Sequence, residues 1–436
     1  MEEAILLLSQ KGQDRILGLT LLERLILYGR KAGLKKFWLY SEKTELLQPV
    51  LQKLRADRRF SPENLEYAGL TPENFQMVFS QKDGRSQVLV LEDSLVVHPD
   101  FLAAVRADVQ EQAEDMVQFC SNGSSSQHGS CSPEVFSVRR DKLGQLLPTL
   151  VRRRSISDSP AAADIPFSYR QVDIDSPFFI RVDSPETARR AERQLLETGR
   201  KPTDGYITRV FFRPISLKLT SWLIKLGLTP NQISLVVLAV ELLSVYLIFQ
   251  GNYKSMALGG LLFLLSSVID CCDGENARLT CRVSRFGTIF DISADAFLYV
   301  IFFTVLPIGL FRATANQLWL YTGAFGWLSM VSFYLQMIFY VRRAGIGFNI
   351  VPIAREIEAS INDPDFQTWA DRLAARMAFI YRRDFFTVLA CLLILVGAAK
   401  VLALMVAFFA CLEAVYFGSW SRRQLKKKSS DRLQTA

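Results

Sequence analysis

The chain has 436 residues, half of them hydrophobic, which is room for two or three domains. Its formal net charge of +8 fits contact with an anionic membrane surface, while the basic residues gather beside long apolar runs instead of forming one patch, which argues against nucleic acid as a partner. Seven cysteines (Cys120, Cys131, Cys271, Cys272, Cys281, Cys391 and Cys411) are scattered without the spacing of a disulfide framework, as expected for a reducing cytoplasmic side.

The first 200 residues read as a soluble α/β domain. Ala4–Leu8 is a buried strand without a basic leader, so a secretory signal is not expected. Leu21–Ala32 is a helix with an apolar stripe, Lys36–Tyr40 a strand, Val88–Asp93 a third strand and Pro99–Val109 a helix. This alternation predicts a mostly parallel sheet. Ser121–Ser132, rich in Ser and Gly, reads as a loop, and Arg152-Arg153-Arg154 with Ser155 and Ser157 as a solvated charged loop. His98 and His128, the only histidines, have no visible partner and are not candidate bases.

Asp204 to Gly227 interleaves Tyr206, Phe211, Phe212, Leu219 and Trp222 with Arg209, Arg213, Lys218 and Lys225. That pattern fits an interfacial amphipathic helix, or one packed on the first domain, with Pro214 expected to break it midway. Thr229-Pro230-Asn231 opens the first of six expected membrane spans, at about 231–250, 256–272, 286–310, 316–341, 384–399 and 400–420. Basic residues load the segment before the first span and the second-to-third connection (Arg278, Arg282, Arg285). They also load the fourth-to-fifth connection (Arg342, Arg343, Arg355, Arg372, Arg376, Arg382, Arg383) and the tail (Arg422, Arg423, Lys426, Lys427, Lys428). The opposite connections hold Lys254, Arg312 and Lys400. By the positive-inside rule both termini face the cytoplasm. Asp363-Pro364-Asp365 divides the long fourth connection, with a helix expected from Gln367 to Tyr381. Arg342, Arg343, Arg382 and Arg383 are candidates to hold an anionic substrate or, more simply, anchors at lipid headgroups. Glu241 and Glu413 are further acids in apolar spans, without an assigned role.

Four aspartates lie where such spans should tolerate none: Asp270 and Asp273, three apart, and Asp291 and Asp295, four apart. Each spacing puts its pair on one face of a helix. Two adjacent helices would pool the four, and oxygen-only ligands suit Mg²⁺ or Mn²⁺ better than Zn²⁺. Gly274, Ala277 and Gly287 are small enough for close backbone approach, and Arg278 offers a fork suited to a diphosphate. Metal and Arg against phosphate suit an in-line phosphoryl displacement. The alternative is a polar helix pair serving ion transport.

The pattern D-x2-D-G-x2-A-R-x8-G-x3-D-x3-D is met by Asp270, Asp273, Gly274, Ala277, Arg278, Gly287, Asp291 and Asp295. It resembles the signature of the CDP-alcohol phosphotransferase family, integral membrane enzymes that transfer a phosphate-linked group from a CDP-linked donor to an alcohol and release CMP. The resemblance implies an all-α domain of six transmembrane helices at residues 229–421 and a homodimer. Asp270, Asp273 and Asp291 would be metal ligands, and Asp295 would complete the cluster and serve as base. Gly274, Ala277, Arg278 and Gly287 would lie at the cytidine diphosphate, and Asn231 and Ser234 would touch the nucleotide or merely cap a helix. Donor (CDP-diacylglycerol or a soluble CDP-alcohol) and acceptor stay open.

Leu19-Thr20-Leu21-Leu22-Glu23-Arg24, Lys31-Ala32-Gly33-Leu34, Val88 to Phe101 and Arg181-Val182-Asp183-Ser184-Pro185-Glu186 resemble segments of sugar-phosphate nucleotidyltransferases. That likeness implies a nucleotidyltransferase-like domain at 1–200, with Asp93 and Asp183 as metal ligands. Its glycine-rich loop departs from the pattern: Ser9-Gln10-Lys11-Gly12-Gln13-Asp14-Arg15 has one glycine, and the lysine before Leu21-Leu22 is missing. A backbone so poor in glycine is ill suited to wrapping phosphates, so this domain reads as degenerate. The expected order is therefore this domain, an interfacial helix at 201–228, the membrane domain and a basic tail at 422–436. The competing functions are a bifunctional enzyme that makes its own CDP-alcohol (CDP-inositol, for example) and a cation transporter.

Overall fold

The computed structural model describes residues 1–60, 65–79, 86–109, 114–121, 135–144, 147, 169–174, 178–201, 204–283, 285–344 and 382–434. Side chains at 58, 76, 120, 121, 169, 171, 173, 285–296, 344 and 427–434 are outside the description, as are the expected loops at 122–132 and 152–157 and the expected helix at 367–381. The chain divides into two compact units.

The first unit comprises Met1–Lys201, Thr220–Leu228 and Glu275–Arg282. Its elements are β1 (Glu3–Leu7), β2 (Arg15–Ile16), β3 (Leu19–Thr20), α1 (Leu21–Lys31), β4 (Lys36–Tyr40), α2 (Thr44–Ala56), β5 (Glu66–Leu70), α3 (Pro72–Phe79), β6 (Gln87–Glu92), β7 (Leu95–Val97), α4 (Phe101–Val109), β8 (Met116–Ser121), β9 (Val135–Arg139), β10 (Tyr169–Ile174), β11 (Phe179–Arg181) and α5 (Pro185–Glu197). Seven strands form one sheet in the order β10-β8-β9-β6-β1-β4-β5. β1 lies parallel to β4 and β6, with Ile5 opposite Trp38 and Val90, and only β9 runs against its neighbours. Successive side chains of β1 feed opposite faces: Ala4 and Leu6 join Leu22, Leu25 and Phe101, while Ile5 joins Trp38, Val90 and Phe136. A sheet buried on both faces reads as the unbroken apolar runs seen in the sequence. α1 starts where Thr20 accepts from the Glu23 backbone and Glu23 closes a capping box.

The last turn of the helix Tyr253–Leu279 folds into this unit. Leu279 joins Ile16, Leu21, Val96, Ile180 and Ile224 in one apolar cluster. The helix stops in a Schellman motif: Arg282 N–H donates to the Ala277 carbonyl, Cys281 N–H donates to that of Arg278, and Cys281 takes φ +53°. That left-handed conformation costs a side-chain-bearing residue roughly 1–2 kcal/mol. Two arginines hold it in place. Arg24, 1% exposed, donates to the carbonyls of Leu279 (2.9 Å) and Ile16 (2.7 Å), and Arg59 donates to that of Thr280 (3.1 Å). Burial pushes the Cys281 thiol above the ordinary cysteine range, against the pull of Arg24 and Arg59.

The second unit comprises Pro202–Leu219, Thr229–Gly274 and Val283–Ala436. Among its described residues are α6 (Arg213–Lys225, shared with the first unit), α7 (Pro230–Phe249), α8 (Tyr253–Leu279, likewise shared), α9 (Arg285–Thr314), α10 (Leu318–Ala344), α11 (Arg383–Leu395) and α12 (Ala399–Gln434). Pro214 does not break the helical segment. A π-helical turn at Thr208–Phe212 precedes it, and the wider winding makes room for the ring. Among the described residues five helices are long and apolar enough to cross a membrane: Pro230–Phe249, Tyr253–Leu279, Phe297–Thr314, Leu318–Arg343 and Ala399–Lys426. α11, in place of the expected span at 384–399, has 13 residues. At 1.5 Å per residue it reaches about 20 Å, short of the ~30 Å hydrocarbon layer. The core of this unit gathers Ile248, Phe263, Phe302, Leu306, Ile394 and Leu402, with the Phe263 and Phe302 rings stacked at 4.8 Å. Lipid-type side chains such as Leu235, Leu328 and Val415 remain exposed, as expected of helices whose outer faces meet hydrocarbon.

Arg24→Met orphans two buried carbonyls, each worth about 1–3 kcal/mol. It is expected to lower the melting temperature of the purified full-length protein and to expose the 279–283 turn to protease. An unchanged melting midpoint and digestion pattern would count against this role.

Candidate active site

Asp270 and Asp273 sit on consecutive turns near the end of the apolar stretch of α8. Asp273 is 7% exposed and accepts a 2.7 Å hydrogen bond from Ser234 Oγ of α7. α7 begins sharply because Thr229 caps it, in a capping box with Gln232, and Pro230 takes its first turn. Ser234 is thereby fixed one turn into the helix, where its hydroxyl also reaches the Pro230 carbonyl (3.2 Å). Asn231 is exposed and is not the cap. Asp270, half-buried, accepts 2.9 Å from Arg383 Nη1, the first residue of α11. Arg383 Nη2 also reaches Glu241 Oε1 of α7 at 3.3 Å. Elsewhere in the same unit Arg213 grips Asp204 through two nitrogens (2.7 and 2.8 Å), and the Thr208 N–H and hydroxyl donate to Asp384 Oδ2 (3.1 and 3.0 Å). Every one of these acids has a donor, as an apolar surrounding requires.

Gly287, Asp291 and Asp295 lie on α9; their side chains are outside the description. Among the described residues no group of three or more His, Cys, Asp or Glu forms a metal cluster. The donors on α8 are carboxylate oxygens, with no histidine among the signature's residues, a set that fits a hard divalent cation. Gly274, like Asp270 and Asp273, belongs to the second unit, whereas Ala277 and Arg278 belong to the first. There Arg278 donates to the Gly199 carbonyl through Nε (3.0 Å) and Nη2 (2.6 Å). Beside it Glu275 and Asn276 are fully buried; Thr220 donates to Glu275, and Asn276 Nδ2 to the Leu228 carbonyl (2.8 Å).

In the first unit, β1 stands between β4 and β6, so the connections diverge at the crevice between β1 and β6, where open α/β sheets place ligands. Ser9 fills that position. Its N–H donates to Asp93 Oδ2 (2.8 Å) and its hydroxyl to Oδ1 (2.6 Å), and Asp93 is fully buried. A Cβ on Gly12 would overlap the Asp93 carboxylate, so the loop's single glycine is required for its close approach to that acid. Lys11 Nζ donates to the Asp183 carbonyl (2.6 Å), and the Asp183 carboxylate accepts from Thr187 (3.1 Å).

Sequence reasoning left the partnership of Glu241 and Arg383 and the role of Ser9 undetected. A lone acid in an apolar span was visible, but its partner 142 residues away was not. Glu413 lines an apolar cavity of about 260 Å³ with Tyr299, Phe303, Tyr334 and Phe386.

Residues 227–380 match the family model of CDP-alcohol phosphatidyltransferases, a stretch that contains the whole signature. Over 193 residues the chain is 29% identical to a bifunctional IPC transferase and DIPP synthase of Aquifex aeolicus, covering 44% of this chain and 42% of that protein. Over 152 residues it is 33% identical to a protein of the same name from Thermococcus kodakarensis, covering 34% of this chain and 33% of that one. The matches thus span well under half the length of these curated relatives. Among solved structures, the inositol-1-phosphate CTP transferase from T. maritima is 13% identical, with a TM-score of 0.34, over 44% of this chain and 96% of that one.

Ser234→Ala removes a hydrogen bond to a charged group, worth about 1.5–3 kcal/mol. A lower melting temperature of the purified protein is expected, and a differential scan of wild type and variant checks it. Gly12→Ala should likewise cost stability by forcing Ser9 off Asp93.

Proposed function

We propose that this protein is an integral membrane CDP-alcohol phosphotransferase that transfers a phosphate-linked group from a CDP-linked donor to an alcohol hydroxyl, with release of CMP. The observation that carries the reading is the complete eight-position signature inside the family-matched stretch, with Asp270 and Asp273 set among apolar helices and held by donors from neighbouring ones.

Asp270, Asp273, Asp291 and Asp295 would hold Mg²⁺ or Mn²⁺, which supplies charge neutralisation at the diphosphate. Asp295 takes the proton of the acceptor hydroxyl as that oxygen attacks the donor phosphate distal to cytidine. The bond to the CMP oxygen breaks, and CMP leaves. Gly274, Ala277, Gly287, Asn231 and Ser234 line the nucleotide, and the Arg278 guanidinium exchanges the Gly199 carbonyl for phosphate oxygens. The site and both termini face the cytoplasm, α11 completes a set of six membrane helices with local thinning of the bilayer accommodating its 13 residues, 204–227 lies at the interface, and the active form is a homodimer.

The first unit acts as a scaffold in this reading. Support comes from the Ser9 side of the crevice, where Asp93 is already satisfied, and from the folding of Glu275–Arg282 into that unit. A second reading, favoured by the mixed seven-stranded sheet and by the bifunctional names of the relatives, gives this unit the synthesis of the CDP-alcohol.

Asp295→Asn is expected to cut CMP release by about 10²–10⁴-fold, the usual contribution of a general base. Chelation should abolish release, with Mg²⁺ or Mn²⁺ restoring it. A screen of CDP-diacylglycerol against alcohols and their phosphates measures both, and an Asp295→Asn protein with full turnover would overturn the base assignment. Full-length protein given CTP and polyol phosphates should form no pyrophosphate; its appearance would establish the bifunctional reading instead.

A further inference from the structure

Glu241 lies within Val237-Leu238-Ala239-Val240-Glu241-Leu242-Leu243, an otherwise apolar run of α7, and is 3% exposed. Its Oε1 receives Arg383 Nη2 at 3.3 Å and the Ser266 hydroxyl at 3.3 Å. The same guanidinium gives Nη1 to Asp270 Oδ2 at 2.9 Å. One arginine at the start of α11 thus joins carboxylates on α7 and α8.

The geometry decides what this arrangement does. An arginine facing a single carboxylate closes on it with two parallel hydrogen bonds, the strongest form of the pair. Here the fork is split, one nitrogen to each acid, so Asp270 is held through one oxygen. The charges follow the same logic. Arg383 against Asp270 alone is a neutral, closed pair that a metal ion must break. With Glu241 added, the one guanidinium is shared between two acids, and its hold on Asp270 is weaker than in a closed pair.

We infer that Glu241 is a positioning residue for the metal site: by holding one arm of Arg383 it keeps Asp270 open to a divalent cation. The inference rests on the proposed function only in taking Asp270 as a metal ligand. It differs from a purely structural ion pair in predicting that loss of Glu241 weakens metal binding through Arg383, so that removal of Arg383 repairs the defect.

The experiment is Mn²⁺ binding to full-length protein in detergent, followed by the electron paramagnetic resonance signal of free Mn²⁺ without nucleotide, with melting temperature recorded for each variant. Glu241→Gln is expected to weaken Mn²⁺ binding about 10- to 100-fold, the range for residues that support metal ligands. The double variant Glu241→Gln, Arg383→Met leaves neither buried charge of the pair unmatched and is expected to return the affinity to the wild-type level or above. Glu241→Gln binding Mn²⁺ as tightly as wild type would overturn the inference. So would a double variant as weak as the single one, and this arm decides the matter should the single variant not fold. Wild-type binding that is absent, or that survives Asp270→Asn, would instead remove the metal reading and this inference with it.

Discussion

A carboxylate placed among apolar helices must be answered by a hydrogen-bond donor or a cation, because hydrocarbon offers it neither. The helical unit meets that demand at each described acid of its first three helical segments and of α11. Asp204 has Arg213, Asp384 has Thr208, Asp273 has Ser234, and Glu241 and Asp270 share Arg383. Apolar packing holds the bundle together through one buried cluster that includes Phe263, Phe302 and Ile394. The polar bonds select the register. A shift of one residue along α11 would turn Arg383 away from two acids at once, an expensive error for the buried Glu241.

The same constraint bears on chemistry. Ser234 contributes one short neutral donor to Asp273, while Arg383 contributes a divided cation to Asp270. Arg383 does not close on Asp270 with both nitrogens, because its second one reaches Glu241. A bidentate bridge to a single acid would be the stronger pair.

The first unit follows a different logic. Its sheet is buried on both faces, and its apolar clusters account for its cohesion. The polar investments lie at two places. At the crevice between β1 and β6, Ser9 satisfies both Asp93 oxygens, and Gly12 permits that approach by lacking a side chain. At the far end of α8, Arg24 and Arg59 hold a turn whose Cys281 adopts a left-handed conformation. The chain that connects Asp273 to α9 therefore leaves from an anchored Schellman turn.

Much of this was legible in the sequence. The alternation of apolar runs with amphipathic stretches announced the parallel α/β sheet, and β1, α1, β4, β6 and α4 stand within a few residues of their expected positions. Hydropathy located the long membrane-type helices, since a bilayer's thickness imposes a length that composition reveals. Two details were beyond it. Pro214 was expected to break a helix, yet a π turn absorbed it, and α11 proved shorter than a span because the run from 383 to 399 holds Gly397 at φ +75°, which ends the helix. The placement of Asp270 and Asp273 on one face of α8 was fixed by spacing alone, for residues three apart along a helix share a face. Their partners were not, because spacing carries no information across 142 residues: only the packed bundle decided that Arg383 would divide itself between Glu241 and Asp270, and that Ser234 would answer Asp273.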